Sequence, residues 1–394
     1  MDRAIIHMDL DAFFVQVERR LNSKLNGIPL IVGGNSRRGV VTSCSYEARR
    51  FGVHAAMPMY LALQLCPDAK VISGDMEAYS RFSHEVTQII AEHAPAFEKA
   101  SIDEFYVDAS GMDRFFGAFK WALELQKRIV KESGLPISLG MSTTKTVSKI
   151  ATGEFKPNAQ KLIEEGTEQS FLDPLAVGKI PMLGKQTESF LHDMGVRTVG
   201  TLRAMPVKFL ASALGKNGVS LWHKAHGVDP TPVVPYNEQK SISTESTFET
   251  DTIDVKKLKS ILIAMIEKIG FQLREQRKLT SCVTVKIRYS NFDTESKQMH
   301  VPYTSSDHIL LKTTLELFEK LYNRRMLLRL VGVRFSGLVE GSHQIDLFND
   351  TEENINLYQR MDVIKHRYGP EALVRAVTLD VSKRLRTTMN AFKG

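Results

Sequence analysis

The sequence is poor in cysteine and tryptophan and has no long apolar run. Its 394 residues include three cysteines and two tryptophans. Cys44, Cys66 and Cys282 are scattered and form no CxxC pair, which argues against a disulfide framework or a cysteine zinc site. No stretch approaches the roughly 18 apolar residues of a membrane span, and the acidic N-terminus lacks an apolar core of signal-peptide length. These absences predict a cytoplasmic protein with reduced thiols and no membrane partner.

What is present is an ordinary globular composition with a basic excess. Hydrophobic residues make up 43% and charged residues 25%, and the formal net charge is +7. A chain of this length usually forms several domains. The charge favours an anionic partner, nucleic acid rather than membrane, since no basic amphipathic anchor is visible. Residues 240–341 hold 17 basic and 12 acidic side chains, so most of the excess lies there.

The first half of the chain has the pattern of an α/β layer. Residues 5–8 read as a strand that ends at Asp9 and is followed by helical spacing, and residues 99–109 read as a strand pair. Helix 118–131 and strand 137–141 come next, and residues 28–72 read as an inserted subdomain. Helices alternating with strands predict one mixed layer.

The second half changes character twice. From Asp173 the pattern is helical with short loops, and residues 226–239 then hold three prolines, which predicts an extended linker. Residues 240–341 alternate strand, helix, strand, helix and strand, as in an α+β module. Beyond it, a helix is expected around residues 357–368.

Three carboxylates are the most informative residues. Asp9 ends the first strand, and Asp103 and Glu104 lie at the junction of the later hairpin. Acids gathered in one place need divalent cations, and hard oxygen ligands suit Mg²⁺ or Mn²⁺. Adjacent strand residues face opposite sides, so both acids reach one site only if the hairpin bends there. The alternative is that Asp9 caps the following helix and that Asp103 and Glu104 form a solvated turn.

Four sequence blocks resemble the signatures of a known family. They are IIHMDLDAFFVQVE (5–18), VVTSCSYEARRFGV (40–53), SIDEFYVD (101–108) and SKIATGEFKPN (148–158). The chain resembles the Y-family translesion DNA polymerases over nearly its whole length, most of all the bacterial DNA polymerase IV branch.

The resemblance implies a multidomain α+β and α/β fold shaped like a right hand. A palm with an antiparallel sheet and helices, small fingers, a helical thumb and an α+β little finger are expected. The implied ranges are 1–10 and 74–165 for the palm, 11–73 for the fingers, 166–229 for the thumb, 230–240 for a linker, 241–341 for the little finger and 342–394 for a clamp-binding tail.

The resemblance also implies low-fidelity, templated DNA synthesis from dNTPs with two Mg²⁺ ions, for which Mn²⁺ can substitute. Asp9 and Asp103 would bind both metals, Glu104 the primer-side metal, and the Leu10 carbonyl would complete the nucleotide-side site. Primer-template DNA is then the main partner of a chain expected to be monomeric.

Four residues match the family's phosphate-contacting positions: Ser43, Tyr46, Arg49 and Lys156. Tyr46 and Arg49 lie about one helical turn apart, so both can donate to phosphate oxygens, although such a pair alone is usually a surface packing pair. Lys156 precedes Pro157, which predicts an extended segment and a free ammonium.

Phe14 matches the steric-gate position, where a ring beneath the sugar excludes a 2′-hydroxyl. Taken alone, an aromatic residue on a helix is usually part of the core. Phe13 and Phe14 point about 100° apart on a helix, so one can face the core and the other the nucleotide.

The helical segment resembles a helix-hairpin-helix, with Gly184, Gly195 and Thr198 as candidate contacts to the DNA backbone. Helix N-termini and backbone N–H groups hold phosphates without reading bases. DNA binding is therefore expected to weaken with salt and to show little sequence preference.

Gln344, Leu347 and Phe348 belong to a QIDLF pentapeptide that resembles the bacterial sliding-clamp-binding motif. The two apolar side chains would fill a groove while Gln344 bonds at its rim. The alternative is a folded-back apolar turn.

Two rival functions remain open at this point. One is a catalytically silent accessory protein of the same family, against which the presence of all the acids argues. The other is a palm-like two-metal enzyme such as a nucleotidyl cyclase, which requires neither thumb nor basic little finger. Departures from the family pattern occur at Thr144, at residues 152–154 and at Phe105, which is expected to alter the floor beside the site.

Overall fold

The computed structural model describes residues 3–34, 36, 38–112, 117–235, 238–341 and 352–379. It contains two compact units, the first formed mainly by Met1–Asn35 and Gly39–Asn237 and the second mainly by Glu238–Phe392. Within the described ranges, no helix combines the length and the apolar character needed to cross a membrane. Both units mix helices with sheets, which confirms the predicted fold class.

The described residues form strands and α-helices in the following order. The strands are β1 (Ile5–Leu10), β2 (Leu30–Gly33), β3 (Val41–Cys44), β4 (Lys70–Ile72), β5 (Phe97–Lys99), β6 (Glu104–Asp108), β7 (Ile137–Ser142), β8 (Gln160–Leu162), β9 (Ser241–Thr252), β10 (Lys278–Tyr289), β11 (Thr294–Thr304) and β12 (Leu328–Glu340). The helices are α1 (Phe13–Leu21), α2 (Tyr46–Arg49), α3 (Met59–Leu65), α4 (Met76–His93), α5 (Ala118–Ser133), α6 (Lys145–Phe155), α7 (Glu168–Leu172), α8 (Lys185–Asp193), α9 (Val199–Arg203), α10 (Val207–Leu214), α11 (Lys216–Ala225), α12 (Val255–Glu275), α13 (Asp307–Leu321) and α14 (Glu352–Tyr368).

The main sheet of the first unit has the strand order β5-β6-β1-β7-β8. Strand β1 is its centre and runs antiparallel to both neighbours, while β7 and β8 are parallel. The register places Asp9 opposite Glu104 on β6 and opposite Ser138 on β7. Residues from two distant parts of the chain therefore meet at the end of β1.

The two faces of this sheet carry different chemistry because side chains alternate along a strand. Ile6, Met8 and Leu10 belong to the main core with helices α4 and α5. Helix α6 packs on the other face, where Ser148 Oγ donates to the Ile5 carbonyl at 2.7 Å. Gly140 permits that approach, since a Cβ there would lie 2.5 Å from the Ser148 carbonyl oxygen.

Phe105 corrects one expectation. It is fully buried in the main core with Val107, on the face opposite to the one that carries Glu104. The ring fills the interior beneath the sheet, so it does not form a floor beside the acidic residues.

The inserted segment, residues 28–72, has its own small sheet, with the order β3-β2-β4. Strand β2 is antiparallel to β3 and parallel to β4. A separate cluster that includes Ile31, Val41 and Ala48 forms the core of this segment.

Helices α7 to α11 form a further layer around a core that includes Leu172, Leu191 and Leu202. Residues 228–235, which contain the prolines, form neither helix nor strand, and they are held against the rest of the first unit. Arg3 Nη1 donates to the Asp229 carbonyl at 2.6 Å, and the Val234 amide donates to Glu98 at 2.8 Å. These bonds fix the path of the linker.

The second unit is an antiparallel sheet in the order β11-β10-β12-β9 with α12 and α13 packed against it. Strand β11 was not predicted. Helix α14 covers part of the predicted tail and is anchored to α12, where Arg274 Nε donates to Asp362 at 2.7 Å. Tyr358 is buried and its hydroxyl lies 3.0 Å from His308 Nδ1.

Candidate active site

The hairpin between β5 and β6 brings an acidic pair to the end of β1. Ser101 organises the turn, because its Oγ accepts the amide protons of Asp103 and Glu104 at 3.3 and 3.1 Å and donates to Asp103 Oδ1 at 2.6 Å. The Leu10 amide in turn donates to the Asp103 carbonyl at 3.1 Å. The chain therefore bends just before β6, with Asp103 in the turn and Glu104 as the first residue of the strand. Among the described residues, the group of close metal-ligand atoms contains Asp9 and Glu104 but not Asp103.

Asp9 and Glu104 share the sheet face that also carries His7. One ligand atom from each of these three residues lies within 4.8 Å of the others. The side chains of Asp9 and Glu104 are 18% and 22% exposed, so an ion held there remains open to solvent on one side. Carboxylate oxygens at a strand end suit a hard divalent cation, and the donor set fits Mg²⁺ or Mn²⁺.

Two lysines neutralise these acids. Lys156 Nζ forms an ion pair with Asp9 Oδ1 and lies 3.4 Å from the Leu10 carbonyl oxygen. Lys149 Nζ, from α6, donates to Glu104 Oε2 at 2.5 Å. Sequence reasoning named Lys156 but missed Lys149, although its place on a helix that packs over the face of β1 marks it as a candidate partner.

The pKa values reflect this crowding. Burial raises the pKa of the Asp9 carboxyl, assisted by the charges of Asp103 and Glu104 and opposed by Lys156. Burial would also raise the pKa of Glu104, but hydrogen bonding and charge, including those of Lys149, lower it below the ordinary range. The site therefore disfavours one of its own negative charges until a further cation arrives.

His7 was also missed, although its position two residues before Asp9 puts it on the same face. Burial lowers the pKa of His7 to about 4, so the imidazole is neutral at pH 7. Thr152 Oγ1 lies 2.9 Å from Nδ1. Nε2 is buried without a hydrogen-bond partner among the described residues and lies 4.0 Å from Glu104 Oε2.

The candidate phosphate ligands lie on the inserted segment and on the loop after α6. Ser45 caps the short helix α2, which carries Tyr46 and Arg49. The Arg49 guanidinium lies 4.6 Å from the centroid of the Tyr46 ring, and its Nε donates to the Cys44 carbonyl at 3.3 Å. Ser43 lies half-buried on β3. The cation over the ring keeps both side chains at one surface.

Asp11 joins these elements and was not predicted. It is 1% exposed, and Ser138 Oγ donates to Oδ1 at 2.8 Å while the Asn158 amide donates to Oδ2 at 2.9 Å. The Tyr46 hydroxyl donates to Oδ1 at 3.4 Å. The only sequence signal was a second acid two residues after Asp9.

Phe14 begins a helix that starts abruptly. Ala12 has φ of 46°, which turns the chain after the strand so that α1 begins at Phe13. Phe13 is buried, whereas Phe14 is partly exposed and stacks on Tyr79, with ring centroids 4.3 Å apart and planes inclined by 14°. Tyr79 is fixed by a 2.6 Å hydrogen bond to Glu18. Phe14 also packs against the main core, so the two rings differ in exposure but both contact the core.

Three of the departures from the family pattern, Thr144, Thr152 and Glu154, form hydrogen bonds or ion pairs that hold α6. Thr144 caps α6 by accepting the Val147 amide proton at 3.3 Å. Thr152 Oγ1 donates to the His7 carbonyl at 3.1 Å, and Glu154 pairs with Lys179 at 2.7 Å. The helix that carries Lys149 is therefore well anchored in spite of these replacements.

The remaining candidates lie away from this face or outside the described residues. Gly184 precedes α8, Gly195 has φ of 80° after that helix, and Thr198 caps α9 by accepting the Thr201 amide proton at 3.2 Å. All three belong to the helical layer with its own core. Gln344, Leu347 and Phe348 lie outside the described residues.

Comparisons with known proteins agree along the chain. Residues 8–153 match the impB/mucB/samB family, and residues 239–347 match the C-terminal domain of that family. The chain is 38% identical to a DNA polymerase IV from Dehalococcoides mccartyi over 93% of this chain and 95% of the relative. It is 34% identical to a DNA polymerase IV from Alkaliphilus oremlandii over 95% and 99%. A solved Y-family DNA polymerase chimera superposes with a TM-score of 0.76 at 26% identity, over 86% of this chain and 100% of the chimera.

Proposed function

This chain belongs to the Y-family of DNA polymerases, and we propose that it is a low-fidelity translesion enzyme that extends a primer on a DNA template. The observation that carries the proposal is the register of β1 and β6, which sets Asp9 opposite Glu104 beside the Asp103 turn. The reaction is an in-line displacement. The primer 3′-oxygen bonds to the α-phosphorus of a dNTP, and the bond to the pyrophosphate oxygen breaks.

At the proposed site the acids would bind the metal ions and Lys156 would bind the triphosphate. Asp9 and Asp103 would bind both Mg²⁺ ions, Glu104 the primer-side ion, and the Leu10 carbonyl the nucleotide-side ion. Bound metal supplies a lowered pKa for the primer hydroxyl and neutralises the leaving pyrophosphate. Lys156 now pairs with Asp9, and on binding of a dNTP it would turn towards the triphosphate.

The nucleotide would lie between the inserted segment and the loop after α6. Tyr46 and Arg49 donate to phosphate oxygens in this proposal, Ser43 lies beside them, and Lys156 supplies a point charge. Phe14, backed by Tyr79, would lie beneath the sugar.

The domain assignment is likewise a proposal. Residues 1–10 and 74–165 act as the palm, 11–73 as the fingers, 166–229 as the thumb and 241–341 as the little finger. The thumb and the basic little finger hold the DNA backbone, with Gly184, Gly195 and Thr198 as thumb contacts. A monomer that works in the cytoplasm on primer-template DNA, tethered to a sliding clamp through residues 344–348, completes the proposal.

Primer extension tests the central claim. Wild type should extend a primer with Mg²⁺ on undamaged and lesion-bearing templates, and Asp103→Ala should lose that activity because the metals lose a shared ligand. Asp108→Asn is a matched control at the other end of β6. Robust extension by Asp103→Ala would overturn the proposed role of the acidic pair.

The steric gate is tested by sugar selection. Phe14→Ala should incorporate ribonucleotides that the wild type rejects, since the smaller side chain leaves room for a 2′-hydroxyl. Phe13→Leu is a control for disturbance of the core. Unchanged sugar discrimination in single-nucleotide incorporation would remove Phe14 from the site.

The clamp contact is tested separately. Replacing Leu347 and Phe348 with Ala should abolish stimulation by a bacterial sliding clamp and leave unassisted synthesis intact. Full stimulation of the double variant would contradict the assignment.

A further inference from the structure

Asp11 is the most enclosed carboxylate near the proposed site, and it is outside the proposed set of metal ligands. It follows β1, where its amide donates to the Pro136 carbonyl at 2.9 Å, and its side chain points inward with 1% exposure. A buried carboxylate is stable only when donors surround it. The identity of those donors indicates its role.

Two of the bonds fix the loop that carries Lys156. The Asn158 amide donates to Asp11 Oδ2 at 2.9 Å. Ser138 Oγ donates to Asp11 Oδ1 at 2.8 Å and accepts the Ala159 amide proton at 2.9 Å. Asn158 has φ of 56°, a left-handed conformation that asparagine tolerates and that turns its amide towards Asp11. Two consecutive amides after Lys156 and Pro157 are thus held by one carboxylate and its serine.

A further bond reaches the inserted segment. The Tyr46 hydroxyl donates to Asp11 Oδ1 at 3.4 Å, and burial together with the Asp11 charge raises the pKa of that phenol. Lys156 Nζ itself lies 3.9 Å from Asp11 Oδ1. One side chain therefore contacts both elements that carry proposed triphosphate ligands, as well as the strand that carries Asp9.

We propose that Asp11 is a positioning residue that fixes the loop of Lys156 beside the inserted segment that carries Tyr46 and thereby sets the affinity for the triphosphate of the incoming nucleotide. This inference rests on the proposed function. The proposed site gives Asp11 no contact with the nucleotide or the metals, so its removal should weaken nucleotide binding more than it slows the chemical step.

Asp11→Asn is the sharpest variant because it keeps the shape of the side chain. Both oxygens of Asp11 accept hydrogen bonds, so an amide group presents N–H towards one existing donor in either orientation. KM for dNTP should rise about tenfold, as expected for one lost bond to a charged group, while kcat changes less than about threefold. Ser138→Ala should shift KM in the same direction.

Matched variants separate positioning from general damage. Ser142 lies on β7, the strand that also carries Ser138, and its buried hydroxyl has no hydrogen-bond partner among the described residues. Ser142→Ala should therefore leave KM for dNTP unchanged. If Asp11 acts through Lys156, adding Asp11→Asn to Lys156→Met should raise KM far less than it does in the wild type. Full additivity would overturn the coupling.

Equilibrium binding of a non-hydrolysable dNTP analogue to the enzyme with primer-template DNA and Mg²⁺ gives a readout without turnover. Weaker binding by Asp11→Asn and Ser138→Ala supports the inference, and unchanged binding by both overturns it. Failure of the wild type to extend a primer would instead overturn the proposed function. Because Ser138→Ala leaves the carboxylate in place, it keeps the test valid if Asp11→Asn does not fold.

Discussion

Two clusters of charged residues, one in each unit, differ in how deeply their charges are buried and in how many bonds hold them. The active-site cluster consists of Asp9, Glu104, Lys149 and Lys156, and the Arg274 cluster consists of Arg274, Asp307 and Asp362. Arg274 is 6% exposed and forms a two-bond fork with Asp362 at 2.7 and 3.0 Å and a bond to Asp307 at 2.6 Å. In the active-site cluster, Lys149 pairs with Glu104 and Lys156 pairs with Asp9. The Lys149 side chain is 34% exposed and the Lys156 side chain is 17% exposed.

The difference separates charge that stabilises a fold from charge that is kept available. A planar guanidinium held by fixed carboxylates cannot exchange partners without leaving an uncompensated buried charge. Burial alone would lower the pKa of Arg274, but Asp362 and Asp307 raise it. In the active-site cluster the pKa of Asp9 is raised, so its charged form is destabilised in the absence of a further cation. Lysine point charges on flexible stems can leave when a metal or phosphate enters.

The largest expected effect comes from Asp9→Asn. Incorporation should fall by about 10²–10³-fold, the scale typical of removing one group that stabilises the reacting charge. The melting temperature without metal should stay equal or rise, because a disfavoured charge is removed. Single-turnover kinetics and thermal unfolding measure the two quantities. A clear loss of stability would mean that the two clusters do not differ in this way.

Arg274→Met should have the opposite effect to Asp9→Asn, because it should lower the stability of the fold. Removing one partner of a buried ion pair typically costs about 3–5 kcal/mol, here by leaving Asp307 without its partner. Denaturant unfolding of the second unit measures the loss. Lys259→Met is the control, since its pair with Glu319 at 2.6 Å is at the surface and should contribute about 1 kcal/mol or less. Equal losses in the two variants would contradict the distinction.

Lys149→Met sharpens the claim that the active-site lysines are exchangeable. Its ammonium occupies Glu104 Oε2 at 2.5 Å, so a divalent cation must compete with it. Affinity for Mn²⁺, measured by electron paramagnetic resonance on the enzyme without DNA, should rise roughly fivefold, the equivalent of about 1 kcal/mol for a partly exposed pair. Lys149→Arg should not raise the affinity, and a weaker affinity in Lys149→Met would show that the lysine preorganises Glu104 instead.

The elements that could be predicted from the sequence are those whose pattern is local. Helix α5 was placed within two residues because apolar periodicity is local. Strand β11 was missed because this edge strand is mostly exposed and polar, so the usual alternation is weak. Phe105 was misplaced because its side depends on the register of β6.

Candidate site residues could be predicted where their role requires a particular residue type at a particular place in the sequence. They could not be predicted where their role depends on how distant segments pack. Asp9 and Glu104 were found as acids at strand ends. Lys149 and Asp11 were missed because their roles come from contacts between distant segments, such as the 2.9 Å bond from the Asn158 amide to Asp11. The orientation of α6 over β1 decides both, and no local pattern reports it.

The smallest expected effect lies beside the Arg274 cluster, at Glu267 on α12. Burial raises the pKa of Glu267; Arg375 and Lys365 oppose the shift, and Asp307 adds to it. A carboxyl whose pKa is higher in the folded state binds protons more tightly there, so stability should fall as pH rises from the ordinary glutamate range through the raised pKa. Glu267→Gln should remove that slope and raise stability near pH 7 by about 1 kcal/mol or less. Unfolding measured from pH 4 to pH 8 tests the sign.

A Glu267→Gln variant that is less stable than the wild type at pH 7 would show that the 3.4 Å pair between Glu267 and Arg375 outweighs the cost of burial. Glu267 would then be a stabilising charge, as Arg274 is.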